Sequence, residues 1–371
     1  MIRPRLNLAS VVGLLFGPQT LIASSLLLWQ ASAPASDGAS PISVSGSRVA
    51  VKASSSDGQA LSSIRQRINA GHLDEALHNL GLLAGRQPVP QGVETLEGLA
   101  YYQQAKLQDA DKAYAAALAR DPGDKEAAQM RGLTLFRLGR PAAAIPLLEG
   151  AKIWSSESKV DPSYVLALCY LDTRRYEDAR RAFAAQYGFP PDSAAAYLLG
   201  ARMLFRREYV PVAKEFAAKA LALDPHLPLA HGLLGEIALA GNHLDEAISE
   251  LEMERTHDPL DGPVYDRLGD AYYRAGRYED AQKSLQEALL LEPNSTGPYI
   301  LLGKVLLKRG DALGAATYLE RAKALDSANY RTRSLLGQAY RALGRQEDAS
   351  REVEASQKLQ AASEPKIENA H

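Results

Sequence analysis

The chain has 371 residues, and its 42 Lys and Arg against 44 Asp and Glu leave a formal net charge of −2, which argues against a nucleic-acid binder, since those carry a strong positive balance. Its one cysteine, Cys169, excludes an intramolecular disulfide and reads as a small buried apolar side chain rather than a reactive thiol. At this length a globular chain would form two or three domains, unless internal repetition makes it one elongated array.

In chain order, Arg3 and Arg5 precede an uncharged, mostly apolar run from Leu8 to Trp29, and Ala33 and Ala35 offer small residues for a cut before Ser36. A basic start, an apolar middle and a small-residue end make a secretory signal. Twenty-two uncharged residues are also enough for an uncleaved anchor. Residues 1–35 are therefore expected to be a signal peptide or signal anchor. The rest is then exported, periplasmic or extracellular, with possible membrane attachment through residues 8–29. Residues 36–58, rich in Ser, Ala and Gly, predict a flexible linker.

From 59 to 359 the sequence repeats itself. The stretch Pro263 to Pro293 shows the unit. Tyr265, Leu268, Gly269 and Tyr272 share one face of a first helix, and Gly276 ends it. Asp280, Ala281, Leu285, Ala288 and Leu291 mark a second helix, which Pro293 closes. Gly269 and Ala281 are small where the two helices would touch. The Ala281 position recurs at Ala76, Ala110, Ala144, Ala179, Ala213, Ala247, Ala315 and Ala349, in steps of 34 residues with a single step of 35. Units start near 57, 91, 125, 160, 194, 228, 262, 296 and 330. The segment Trp154 to Lys159 absorbs the extra residue, the polar last helix caps the array, and residues 360–371 are expected to be a disordered polar tail.

Leu268-Gly269 with Tyr272, Ala281 and Pro293, together with Leu302-Gly303, Leu234-Gly235 and Leu336-Gly337 with Tyr340, resemble the tetratricopeptide repeat (TPR) family. The resemblance covers roughly Gln59 to Ser356. It implies an all-α, right-handed TPR superhelix, an α-solenoid of about nine helix-turn-helix repeats. It also implies a non-enzymatic scaffold or adaptor that holds an extended or helical segment of a protein partner in its concave groove. Similarity to exported TPR proteins sets the expected role in cell-envelope assembly or secretion.

In that family the first helix of each unit lines the concave face, with positions nine and twelve pointing into it. These positions are apolar early in the chain, at Leu99, Tyr102, Leu133, Phe136, Leu168 and Leu171. From Arg202 onward position nine is charged or polar, while position twelve keeps Phe205 and Tyr273, and position thirteen adds Arg206, Arg274 and Lys308. The expectation is an apolar groove for a partner's apolar side chains, followed by a stretch for its acidic part. The alternatives are that Leu99, Leu133 and Leu168 pack as core, or that Tyr102, Phe136, Phe205 and Tyr273 stack sugars of a carbohydrate or cell-wall polymer. The lysine–asparagine clamp of heat-shock cochaperones is not carried over, because position five offers no lysine.

Catalytic motifs are missing. There is no phosphate loop with its lysine, no H-E-x-x-H, no C-x-x-C and no G-x-S-x-G. No cofactor or metal is expected, because the spacing of His226, His231, His243 and His257 fits no ligand set. The pairs Glu177-Asp178 and Glu279-Asp280 recur at the start of second helices, where acids suit the helix dipole. They are read as structural.

Overall fold

The computed structural model describes residues 48–151 and 162–363. The expectations for residues 1–35, for the insertion at Trp154 to Lys159 and for the last residues of the tail lie outside this range. Among the described residues all regular structure is helical, in eighteen helices with no strand. No helix among them is long and apolar enough to cross a membrane.

The helices form nine antiparallel pairs in two compact units that divide after Asp192. The first unit holds α1 (Arg48–Asn69), α2 (Leu73–Ala84), α3 (Val93–Gln103), α4 (Leu107–Arg120), α5 (Lys125–Arg137), α6 (Pro141–Ala151), α7 (Pro162–Asp172) and α8 (Tyr176–Tyr187). The second holds α9 (Ala194–Arg206), α10 (Val210–Leu223), α11 (Ala230–Ala240), α12 (Leu244–His257), α13 (Gly262–Arg274), α14 (Tyr278–Leu291), α15 (Thr296–Arg309), α16 (Ala312–Leu325), α17 (Tyr330–Ala342) and α18 (Gln346–Ser363).

Two boundaries differ from expectation. Helix α1 begins at Arg48, inside the stretch expected to be linker. No Gly or Pro stands between Arg48 and Asp57 to stop the helix running back from the first pair. Helix α18 runs on to Ser363 through Gln360, Ala361 and Ala362. It stops just ahead of Pro365, whose ring disfavours helical geometry at the residue before it.

Each pair is joined by a turn with one residue in the left-handed region, and the turns recur at the period of the sequence. Gly71, Gly139, Gly276, Gly310 and Gly344 fill five of them, and Ala105, Arg174, Glu208 and Asn242 the other four at φ 59–63°. A β-carbon in that region costs roughly 1–2 kcal/mol, so the non-glycine turns are held by the packing of the helices they join.

The crossing within a pair is equally regular. A β-carbon at Gly269 would lie 2.5 Å from Leu285, one at Gly303 2.5 Å from Leu319, and one at Gly235 2.5 Å from Leu251 and 3.4 Å from the Ala247 carbonyl. The glycine thus receives a leucine side chain and, beside it, the backbone of the small central alanine. Ala247, Ala281 and Ala315 are fully buried. Successive pairs are locked by a tyrosine. Tyr272 donates to Glu252 at 2.6 Å and Tyr340 to Glu320 at 2.5 Å, each reaching the preceding pair, and Tyr170 bonds Glu149 in the same way. Burial, then the bond to the carboxylate, pushes the Tyr272 and Tyr340 hydroxyls up to about 12. Arg277 and Arg345 cover those rings at 4.4 and 4.2 Å and donate to Asp280 and Asp348.

Candidate functional site

Within each unit the first helices of successive pairs touch one another, as α3 does α5 and α15 does α17, while the second helices make no contact of that extent. The first helices therefore crowd onto one inner face of each unit.

In the first unit that face carries the apolar row. Leu99, Tyr102, Phe136 and Leu168 are half-buried and present side-chain surface. Leu133 and Leu171 do not: at 5% and 1% exposure they are core, enclosed by neighbouring helices. They support the row from beneath. The Arg137 guanidinium lies 4.7 Å over the Tyr102 ring. At the start of this face a cleft of about 260 Å³ is lined by Arg65, Thr95, Asp124 and Glu126. Its groups satisfy one another. Arg65 grips both oxygens of Glu126 at 2.6 and 2.8 Å, and Thr95 donates to Asp124 at 2.6 Å. Asp124 also accepts from the Ala127 amide and so caps α5.

In the second unit the face is charged, and the charge at its α9–α13 end is neutralised within the unit. Arg202 is 7% exposed. Its guanidinium is held by both oxygens of Glu236 on the next first helix, and Arg267 reaches the same carboxylate at 2.8 Å. Arg202 is thus a buried structural cation, because burial of so large a charge requires a carboxylate in the same shell. Arg274 donates to the Leu239 carbonyl at 3.0 Å and to Asn242 at 2.7 Å. Phe205 is half-buried, Arg206 and Lys308 are exposed, and Tyr273 packs against Tyr278 with Lys304 4.9 Å from its ring centre. The faces offered for sugar stacking at Tyr102 and Tyr273 each have a cation over them.

Sequence reasoning missed Asp266 on α13. It has no hydrogen bond or ion pair among the described residues, and burial pushes its carboxyl up to about 6 against the lowering pull of Arg267. A strongly perturbed, unpartnered carboxyl on an inner face marks a functional candidate. The folded state keeps this proton between pH about 4 and about 6 while the unfolded chain has lost it. Stability therefore falls as pH rises across that window. Asp266→Asn should stabilise the protein at pH 7 by roughly 1–3 kcal/mol and leave it unchanged near pH 4. Thermal melts of both proteins at the two pH values check this, and equal melting points at pH 7 would contradict it.

His231 Nδ1 bonds Glu250 at 2.7 Å, and its ring and that of His226 each lie 5.5 Å from His257. No group of three His, Cys, Asp or Glu among the described residues is arranged to hold a metal.

Comparison with known proteins gives consistent relatives. Tetratricopeptide-repeat family profiles match residues 95–158 and 262–295. Superkiller complex protein 3 of Homo sapiens is 27% identical over 245 residues, covering 61% of this chain and 15% of that protein. Protein CTR9 homolog of Arabidopsis thaliana is 26% identical over 204 residues, covering 52% and 19%. The chain thus spans less than a fifth of either relative. Among solved structures, YrrB, a TPR protein with an unusual peptide-binding site, is 21% identical with a TM-score of 0.44, covering 50% of this chain and 95% of YrrB. MamA is 20% identical with a TM-score of 0.42, covering 44% and 95%.

Proposed function

Since this chain is a tetratricopeptide-repeat protein, a class whose members generally serve as protein–protein interaction scaffolds, we propose that it is a non-enzymatic adaptor that holds a partner segment on its first-helix faces. The half-buried row of Leu99, Tyr102, Phe136 and Leu168 on the first unit carries this reading. Apolar side chains left accessible in a contiguous line are the mark of an interaction surface. The proposed setting is the cell envelope, in assembly or secretion. The support is the basic, apolar and small-residue order of residues 1–35.

Tyr102→Glu with Phe136→Glu tests the surface, because neither residue is core. Crosslinked capture from envelope fractions should recover a partner with the native chain and lose it with the variant, at unchanged helical content. Identical partners from both folded proteins would overturn the reading. Should the variant lose helical content, Tyr102→Ala with Phe136→Ala replaces it. Fractionation with N-terminal sequencing tests export. A chain starting at Ser36 supports a cleaved signal, an intact membrane-bound start supports an anchor, and a cytoplasmic chain sinks both.

A further inference from the structure

The inner face of the second unit holds a cleft that the repeat positions did not single out. It measures about 480 Å³ and lies where α15, α17 and the end of α18 meet, within the size range of sites that take a ligand or side chains. Ile300, Leu301 and Leu335 give it an apolar lining, and Lys304 from α15 and Arg331 from α17 stand at it. Both cations are exposed. Lys304 rests near the Tyr273 ring, and Arg331 donates to the Tyr330 hydroxyl at 3.2 Å.

Neither cation meets a carboxylate among the described residues, and the same holds for Lys308 further along α15 and Arg341 on α17. Elsewhere on the inner face of this unit the balance is different. Arg202 and Arg267 share Glu236, and Arg274 reaches Asp270 at 3.6 Å. Two unneutralised cations therefore stand at the apolar cleft, and two more lie further along the same two helices. On the other side stands Asp266, whose Oδ2 lies 3.7 Å from where a β-carbon at Gly297 would be. That carboxylate sets a direction: it repels an acidic group at the α13 edge and suits a backbone N–H there.

We propose that the α15–α17 cleft binds an extended acidic segment of a partner protein, with an aliphatic side chain in the cleft and flanking Asp or Glu side chains on Lys304 and Arg331. The inference rests on the reading of first-helix faces as partner surfaces and adds the chemistry of the partner. The positive charge alone would suit any polyanion. The aliphatic lining between the cations fits a peptide side chain and offers nothing to a phosphate backbone.

The test is fluorescence anisotropy of the full chain with a fluorescein-labelled hexapeptide, Glu-Leu-Glu-Glu-Leu-Glu, and its Gln-for-Glu analogue. The acidic peptide should bind about tenfold more tightly than the neutral one and weaken as salt is raised. Lys304→Glu with Arg331→Glu should lose about tenfold in affinity for the acidic peptide at an unchanged melting point, since both side chains are exposed. If that variant melts lower, Lys304→Gln and Arg331→Gln taken singly should each still weaken binding. Four results would overturn the proposal: no binding of the acidic peptide, equal binding of both peptides, unchanged affinity in the folded variants, or tighter binding of a single-stranded oligonucleotide at the same cations. Any of these leaves the adaptor reading to its own capture experiment on Tyr102 and Phe136. A failed capture alongside an intact preference for the acidic peptide would fault the first-unit surface alone.

Discussion

Glu236→Ala should loosen the second unit by about 3–5 kcal/mol, the cost of removing one partner of a buried ion pair. Glu236 is held by Arg202 from α9 and by Arg267 from α13, with Arg202 Nη2 at 3.1 Å and Arg267 Nη2 at 2.8 Å from Oε1. Arg202 is 7% exposed, so solvent cannot take over from the lost oxygens. Removing the acid also leaves two guanidinium groups facing each other. Native-state hydrogen exchange should show faster exchange concentrated in α9, α11 and α13, because each pair of such an array depends on its immediate neighbours. Arg202→Leu together with Glu236→Leu should recover most of the loss, since an apolar pair of similar size replaces a buried ion pair at little cost. A single-variant loss below about 1 kcal/mol would mean that the pair behaves as a surface bridge.

Glu254→Ala is expected to be of comparable severity for a different reason. Helix α11 starts without a capping side chain of its own, since Leu229 stands at its N-cap in the left-handed region at φ 70°. The cap comes from α12. Glu254 is fully buried, and its carboxylate accepts from the Leu229 amide at 2.6 Å and the Gly232 amide at 2.8 Å. Deleting it strands two buried donors at about 1–3 kcal/mol each, and opens space beside Gly232, whose β-carbon position lies 3.3 Å from Glu254 Cγ. Glu254→Gln keeps the shape but only one acceptor oxygen, so it should cost about half as much. Melting curves of the two variants rank these effects, and native-like melting by the alanine variant would show that the amides find other partners.

The fold was legible because its signals repeat. One glycine next to one leucine is a weak hint, but the same spacing from Gly98 to Gly337 fixes which small residues meet and where each helix pair crosses. The turns were half legible. Gly276 announces a left-handed turn, whereas Ala105, Arg174, Glu208 and Asn242 adopt the same geometry without a residue type that favours it, so only their register gives them away. The face was legible as a row of positions and less so as chemistry. Leu133 and Leu99 occupy the same repeat position, yet the first is core and the second half-buried, a difference set by how closely neighbouring helices approach. Arg202 and Glu236 stand one period apart with opposite charge, which is a readable sign of mutual neutralisation. Asp266 and the α15–α17 cleft carry no sequence signature, because exposure and the want of a partner are properties of the packed helices.

The single cysteine has a practical consequence. Cys169 sits on α7 with no exposed surface, so a thiol reagent reaches it only when α7 opens. The rate of alkylation is then a clock for that opening, read with no background from other thiols. The same shielding keeps the thiol from oxidants while the protein is folded. A cysteine placed by design at Tyr102 or Lys304 would be the sole reactive thiol on the native surface, so a dye or crosslinker could be attached at a chosen point of either inner face without first removing any natural residue.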